Sequence, residues 1–195
     1  MSMYTPTPIV DTDKVARQTR QYLLLTELQG MSRQIPLKFQ QRIPCSLLSS
    51  LAYSLVDETV FEIVLHLQEI QQITERKLME QRAKLIESHK SQKVELQKKH
   101  EDALAACIAR PHNLPLTKKK IEEETEALET KSKEEIQKMD ERIVLELDNC
   151  VSDQQGTLEK AGVPGFYQTT NPLDVQLQMY LLQFIHKMRE GIGNS

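Results

Sequence analysis

Tryptophan is absent from the 195 residues, and aromatic side chains make up only 5% of them. A compact globule of this length buries more aromatic surface, so the shortage predicts an elongated helical protein. Cysteine is scarce too. Cys45, Cys107 and Cys150 are odd in number, far apart and without a CxxC pair. That pattern fits unpaired thiols in a reducing compartment rather than a disulfide framework. No apolar run approaches the roughly 20 residues that a bilayer crossing needs. Met1 to Pro8 lack a basic segment followed by an apolar core, so no signal peptide is expected. A cytoplasmic or nuclear protein without a membrane partner is the expectation. The net charge of −3 is too small to imply a partner class.

Proline and glycine are missing where it matters most. Asp57 to Ala109 contain neither, and Thr117 to Ala161 contain only Gly156. Between them lies Arg110-Pro111-His112-Asn113-Leu114-Pro115. Two long helices joined by a proline-bounded turn at 110–116 are predicted. Each helix, at ~1.5 Å per residue, is on the order of 70 Å long.

The apolar stripe of these helices has a readable period. In the first it runs through Ile63, Leu67, Ile70, Thr74, Leu78, Gln81, Leu85, His89, Gln92, Leu96, His100, Ala103 and Cys107. In the second it runs through Ile121, Thr125, Leu128, Ser132, Ile136, Met139, Ile143, Leu147, Cys150, Gln154, Leu158 and Ala161. The 4, 3, 4 spacing is an eleven-residue repeat, about 3.67 residues per turn, which predicts nearly straight packing or slight right-handed coiling. Polar seam residues weaken the pairing and select its register.

Charge selects the topology. Arg76 to His100 hold eight Lys/Arg and three Asp/Glu, whereas Glu122 to Asp148 hold four and eleven. Opposite blocks on arms joined by a short turn favour an intrachain antiparallel hairpin, and a parallel homodimer would stack like charges. A turn near residue 114 places Cys107 by Ile121, His100 by Leu128, Leu96 by Ser132, His89 by Met139 and Leu85 by Ile143.

The flanking segments read as a helical head. Residues 1–10 are expected to be disordered, and 11–56 to form N-terminal helices, the first capped by Asp11, Thr12 or Asp13. Val60 to Ile73 are apolar on several faces and need cover on several faces. Hairpin 57–161 is followed by an aromatic loop at 162–171, with Gly162 ending the second arm. Residues 172–195 form a last helix, with Pro172 at its first position and Leu177, Leu181, Phe184 and Met188 on one face. The fold class expected is all-α: a long antiparallel helical hairpin on a small helical head.

Chemistry that announces an enzyme is missing, and no catalytic residue, cofactor or metal ligand is assigned. His89, His100, Cys107 and His112 do not have zinc spacing and read as seam or turn residues. Cys150 reads as a small seam residue, because a two-helix seam offers a nucleophile no pocket. Lys118, Lys119 and Lys120 precede Glu122, Glu123 and Glu124, so local charge cancels. The candidate partner-binding residues are Phe166 and Tyr167 in the loop and Arg110, His112 and Asn113 in the turn. For the two aromatics, pinning the loop onto the head is the competing role.

Several strings resemble a known family. Thr59-Val60-Phe61-Glu62-Ile63-Val64, Arg110-Pro111-His112-Asn113-Leu114-Pro115, Ile143-Val144-Leu145-Glu146-Leu147-Asp148 and Thr157-Leu158-Glu159-Lys160-Ala161-Gly162-Val163 are similar to the DiGeorge-critical-region-six and gonadal protein family. Gly165-Phe166-Tyr167 and Thr169-Thr170-Asn171-Pro172 extend the likeness, which covers about Tyr22 to Met188. The length and residues 1–20 look closer to the insect gonadal branch. The resemblance implies a non-enzymatic coiled-coil protein linked to germline or gonad expression and to development, in cytoplasm and nucleus, with no catalytic residues to carry over. Residues and resemblance together predict a scaffold or adaptor that binds other proteins and is able to form homo- or hetero-oligomers. The alternative is a nucleic-acid- or chromatin-associated factor using the basic block 76–99.

Overall fold

A computed structural model describes residues 12–193 of the chain. The disorder expected for residues 1–10 and a cap at Asp11 lie outside the described residues. Six α-helices follow in order: α1 (Thr12–Ser32), α2 (Leu37–Gln40), α3 (Cys45–Ser54), α4 (Thr59–Ala106), α5 (Leu114–Lys160) and α6 (Pro172–Gly193). Single 3₁₀ turns, Cys107–Ala109 and Pro111–Asn113, join α4 to α5. Among the described residues there is no strand, and no helix is long and apolar enough to cross a membrane. The all-α class and the two long helices match the sequence reading.

The chain divides into two units, one taking it up to Ile70 and from Val151 onward, the other being Gln71–Cys150. The first unit holds one hydrophobic core. Leu24 and Leu28 of α1, Phe39 of α2, Leu48, Leu51 and Ala52 of α3, Val60, Phe61 and Val64 of α4, Leu158 of α5 and Leu181, Phe184, Ile185 and Met188 of α6 are all buried in it. α6 buries three of the four residues expected on its apolar face and half-buries Leu177. Phe39 packs its ring on Tyr180 with centroids 5.1 Å apart, within the range of attractive tilted pairs. The apolar start of α4 is covered only as far as Leu67, for Ile70 and Ile73 are 57% and 64% exposed.

Local chemistry sets the helix ends. Asp57 Oδ1 accepts the Thr59 N–H at 3.3 Å at the start of α4, and Asn171 Oδ1 accepts the Leu173 N–H at 3.0 Å at the start of α6. Each satisfies a donor that the first turn leaves open. α5 ends as Gly162 predicts. Gly162 has φ 73°, and the Val163 and Gly162 N–H groups reach back to Leu158 and Glu159 carbonyls at 3.0 Å. Leu158 and Val163 are buried, which completes a Schellman motif with its apolar contact.

The second unit is an antiparallel helical hairpin. Every stripe residue from Thr74 to Cys107, and from Ile121 to Cys150, is buried or half-buried. The register differs from expectation by one helical turn. Cys107 meets Thr117, His100 meets Glu124 and His89 meets Glu135, each four residues short of the expected partner. The cause is the turn. The α-helix gives way to a 3₁₀ turn at Cys107, and α5 starts at Leu114 rather than beyond 116. Pro115 sits in the first turn of α5, where a missing N–H costs nothing and the fixed φ suits a helix. The pivot therefore lies near residue 112, not 114.

Candidate functional site

The seam of the hairpin is polar and built on a repeat. His89 Nε2 lies 2.6 Å from Glu135 Oε2, and His100 Nε2 lies 2.9 Å from Glu124 Oε2. The two histidines are eleven residues apart, as are the two glutamates, so the same pair recurs once per repeat. Both imidazoles are buried, at 8% and 9% exposure. Arg82 grips Asp140 with two bonds, Nε to Oδ1 at 2.6 Å and a terminal nitrogen to Oδ2 at 3.1 Å. Lys93 reaches Glu129 at 3.3 Å and Lys99 reaches Glu124 at 3.5 Å. The basic block of α4 thus finds its partners on the acidic block of α5, as the charge pattern predicted.

These contacts move the carboxylates. The hydrogen bond from His100, helped by Lys99 and Lys120, holds Glu124 below its ordinary value against a smaller desolvation effect. His89, with Lys131 beside it, does the same to Glu135, and Arg82 does it to Asp140. A carboxylate depressed in the folded state contributes stability above its unfolded pKa and loses it as pH falls through the folded value. Free Glu and Asp titrate near about 4.3 and 3.9. The helical CD melting temperature is therefore expected to fall as pH drops below about 4.5. Glu124→Gln with Glu135→Gln should flatten that fall. An acid limb unchanged in the double variant would show that these pairs do not set it.

Seam satisfaction is incomplete. His89 Nδ1 and Gln81 Oε1 are buried without a hydrogen-bond partner, and such groups cost roughly 1–3 kcal/mol each. Among the described residues, no group of three or more His, Cys, Asp or Glu side chains is placed to hold a metal ion. Cys45, Cys107 and Cys150 are all free thiols.

The turn residues Arg110, His112 and Asn113 are all exposed. Ile108 beside them is 82% exposed and Leu116 is 73% exposed. Residues 103–120 contain no Asp or Glu but include Arg110, Lys118, Lys119 and Lys120. Lys118, Lys119 and Lys120 lie past the first turn of α5, and Lys119 and Lys120 lie 3.7 and 3.9 Å from Glu123 and Glu124. The tip is thus a basic and apolar surface.

The aromatic loop splits its two rings. Phe166 is 5% exposed and belongs to the core of the first unit, so it does not present its ring to a partner. Tyr167 is 45% exposed. Burial pushes its hydroxyl up from the ordinary value, and the Asp174 carboxylate beside it acts the same way. Asp174 is held in turn by Arg42 at 2.8 Å. The loop backbone is clamped by side chains that periodicity did not single out. Gln155 Oε1 accepts from the Thr169 N–H at 3.1 Å, Gln178 Nε2 donates to the Tyr167 carbonyl at 2.9 Å, and Glu159 accepts from the Gln168 N–H at 3.3 Å. The signal that could have found them is polarity on a buried face: Gln155 and Gln178 are 4% exposed.

The first unit also has an open groove of about 720 Å³ lined by Ser49, Tyr53, Asp57, Thr59 and Gly162 among others. Its carboxylate, Asp57, is the acceptor that caps α4.

These features define an all-helical protein whose hairpin carries a paired polar seam and an exposed basic tip. Residues 4–191 match the family described as DiGeorge syndrome critical region 6 (DGCR6) protein, and the chain belongs to that family. It is 51% identical to Protein DGCR6 of Gallus gallus over 179 residues, 92% of this chain and 88% of the chicken protein. It is 34% identical to Gonadal protein gdl of Drosophila melanogaster over 171 residues, 88% of this chain and 80% of the fly protein. Identity is higher to the chicken protein than to the fly protein, whereas length and residues 1–20 pointed towards the insect branch. No solved structure matches the chain.

Proposed function

We propose that this chain is a non-enzymatic helical adaptor that binds other proteins, in the cytoplasm or the nucleus. The observation that carries this reading is the hairpin tip. Ile108 stands 82% exposed beside Arg110, His112 and Asn113, in a stretch without a single acidic residue. That combination fits a partner segment that is acidic and apolar, since complementary charge guides encounter and a buried aliphatic anchor supplies affinity. Three free thiols are consistent with a reducing compartment. The name of the fly relative, a gonadal protein, and the family description support a link to gonad and development.

The alternative, nucleic-acid binding through residues 76–99, has less support. Arg82, Lys93 and Lys99 of that block are engaged by Asp140, Glu129 and Glu124, and phosphate would have to displace those carboxylates.

The test is quantitative co-purification from native tissue with the full chain, comparing wild type, Ile108→Glu with Arg110→Glu, and Tyr167→Ala. A tip-dependent partner should fall by about tenfold or more with the tip variant, the size of a lost hot spot. Tyr167→Ala should leave it unchanged. Equal recovery with wild type and tip variant would sink the tip reading, and salt-sensitive nucleic-acid binding by the full chain would favour the alternative.

A further inference from the structure

The hairpin uses one face of α5 for its seam, and the opposite face carries a pattern of its own. Leu116, Lys120, Glu123, Lys138, Glu141 and Leu145 are all exposed, and their spacings place them along one outward ridge. Leu116 and Leu145 are 73% and 61% exposed, large apolar side chains at the two ends of that ridge. Between them the ridge is charged, and the order of the charges is the informative part.

Read in reverse, the ridge matches itself. Leu116 maps onto Leu145, Lys120 onto Glu141 and Glu123 onto Lys138, and all three pairs share one midpoint, between Thr130 and Lys131. In these three pairs apolar falls on apolar and each cation falls on an anion, while Ala127 of the same ridge falls on Glu134 and, beside it, Lys119 falls on Arg142. A two-fold symmetric contact requires that correspondence, because in an isologous interface residue i meets residue j and residue j meets residue i. We propose that the outer ridge of α5 pairs antiparallel with the same ridge of a second copy of this chain, on a two-fold axis beside Thr130 and Lys131.

In that arrangement Leu116 packs on Leu145 of the second copy at both ends, about 44 Å apart at 1.5 Å per residue. Four cross-chain ion pairs lie between them: Lys120 with Glu141 twice, and Glu123 with Lys138 twice. The intrachain ion pairs of Lys120 and Glu123 are long, and Glu141 accepts a bond from Gln137 at 2.9 Å. Lys120 lies 3.9 Å from Glu124 and Glu123 lies 3.7 Å from Lys119, with Lys120 and Glu123 side chains 72% and 66% exposed. Such solvated neighbours exchange at little cost. The parallel homodimer that the block charges disfavour is a different arrangement; here the axis lies within the acidic block of α5, and the four ion pairs, with the α4 cations Arg82, Lys93 and Lys99 already bound to that block, offset its repulsion. The proposal goes beyond the adaptor reading and uses different residues from the tip variant above, so either one is able to fail alone.

The experiment is sedimentation equilibrium of the full chain over a concentration series at low and high salt, with far-UV CD to confirm that each variant is folded. Wild type should dimerise reversibly, and more weakly at high salt because exposed pairs are screened. Glu123→Lys alone sets like charges against each other twice, as does Lys138→Glu alone. Each should weaken self-association by about tenfold or more. An equimolar mixture of the two single variants should form a heterodimer, because both pairs become complementary again. The double variant should dimerise as wild type does. Leu145→Ser should weaken association without reversing any charge. A wild type that is monomeric at every concentration, single reversals that dimerise like wild type, or a mixture that fails to pair would each overturn the proposal.

Discussion

Truncating Phe166 to alanine is expected to destabilise the first unit by about 3–5 kcal/mol, the usual cost of removing a buried aromatic ring. Phe166 is 5% exposed and sits in a core shared with Leu158, Val163, Leu181 and Phe184. The loop that carries it is clamped by Gln155 and Gln178, so the backbone has little freedom to collapse into the space left behind. Tyr167→Ala is the paired measurement. Its ring is 45% exposed; the clamp from Gln178 falls on its carbonyl, and its exposed side chain keeps only the Asp174 carboxylate beside its hydroxyl. The expected cost is below about 1 kcal/mol, as for most surface substitutions. Urea unfolding followed by CD separates the two. Equal costs would mean that the adjacent rings share one environment.

The period of the long helices was legible because burial follows helix geometry directly. Thr74, Gln81 and Gln92 are polar, yet each is half-buried at the stripe position that the 4, 3, 4 spacing assigns. Register was not legible to the same depth. It depends on where two helices stop, and Pro115 gave an ambiguous signal: proline breaks a helix interior but opens a first turn. Taking it as part of the turn moved the pivot by two residues and every facing pair by four. The correct register had its own trace in the sequence. His89 and His100 share the eleven-residue separation of Glu124 and Glu135, and pairing equal intervals head to tail selects the observed alignment.

The candidate binding residues divide along similar lines. Arg110, His112 and Asn113 are exposed, as expected of a turn between long helices, because few residues are close enough to cover them. Phe166 and Tyr167 are neighbours in sequence, and composition gave no means of separating them. Their separation comes from tertiary packing: Phe166 is buried in the core of the first unit, while Asp174 and Arg42 flank Tyr167. Gln155 and Gln178 escaped notice because each serves loop backbone groups, whose needs appear only once the loop has a path.

Gly165→Ala is the other substitution with a large expected effect, about 2–5 kcal/mol. Two costs combine. Gly165 has φ 89°, a region where a β-carbon costs roughly 1–2 kcal/mol. A β-carbon there would also lie 2.7 Å from Leu181 Cδ1 and 3.3 Å from Leu47 Cδ1. Leu181 is fully buried, so it has nowhere to retreat, and overpacking of this kind costs about 1–3 kcal/mol. Gly162 supplies the control. Its φ is 73°, and nothing lies within 4 Å of an added β-carbon, so Gly162→Ala should cost only the conformational part, about 1–2 kcal/mol. Gly162→Asn should cost less still, because asparagine tolerates the left-handed cap. Unfolding free energies of the three variants separate conformation from contact. If Gly165→Ala cost no more than Gly162→Ala, Leu181 would have room to move, and the loop would pack less tightly on α6 than the 2.7 Å approach requires.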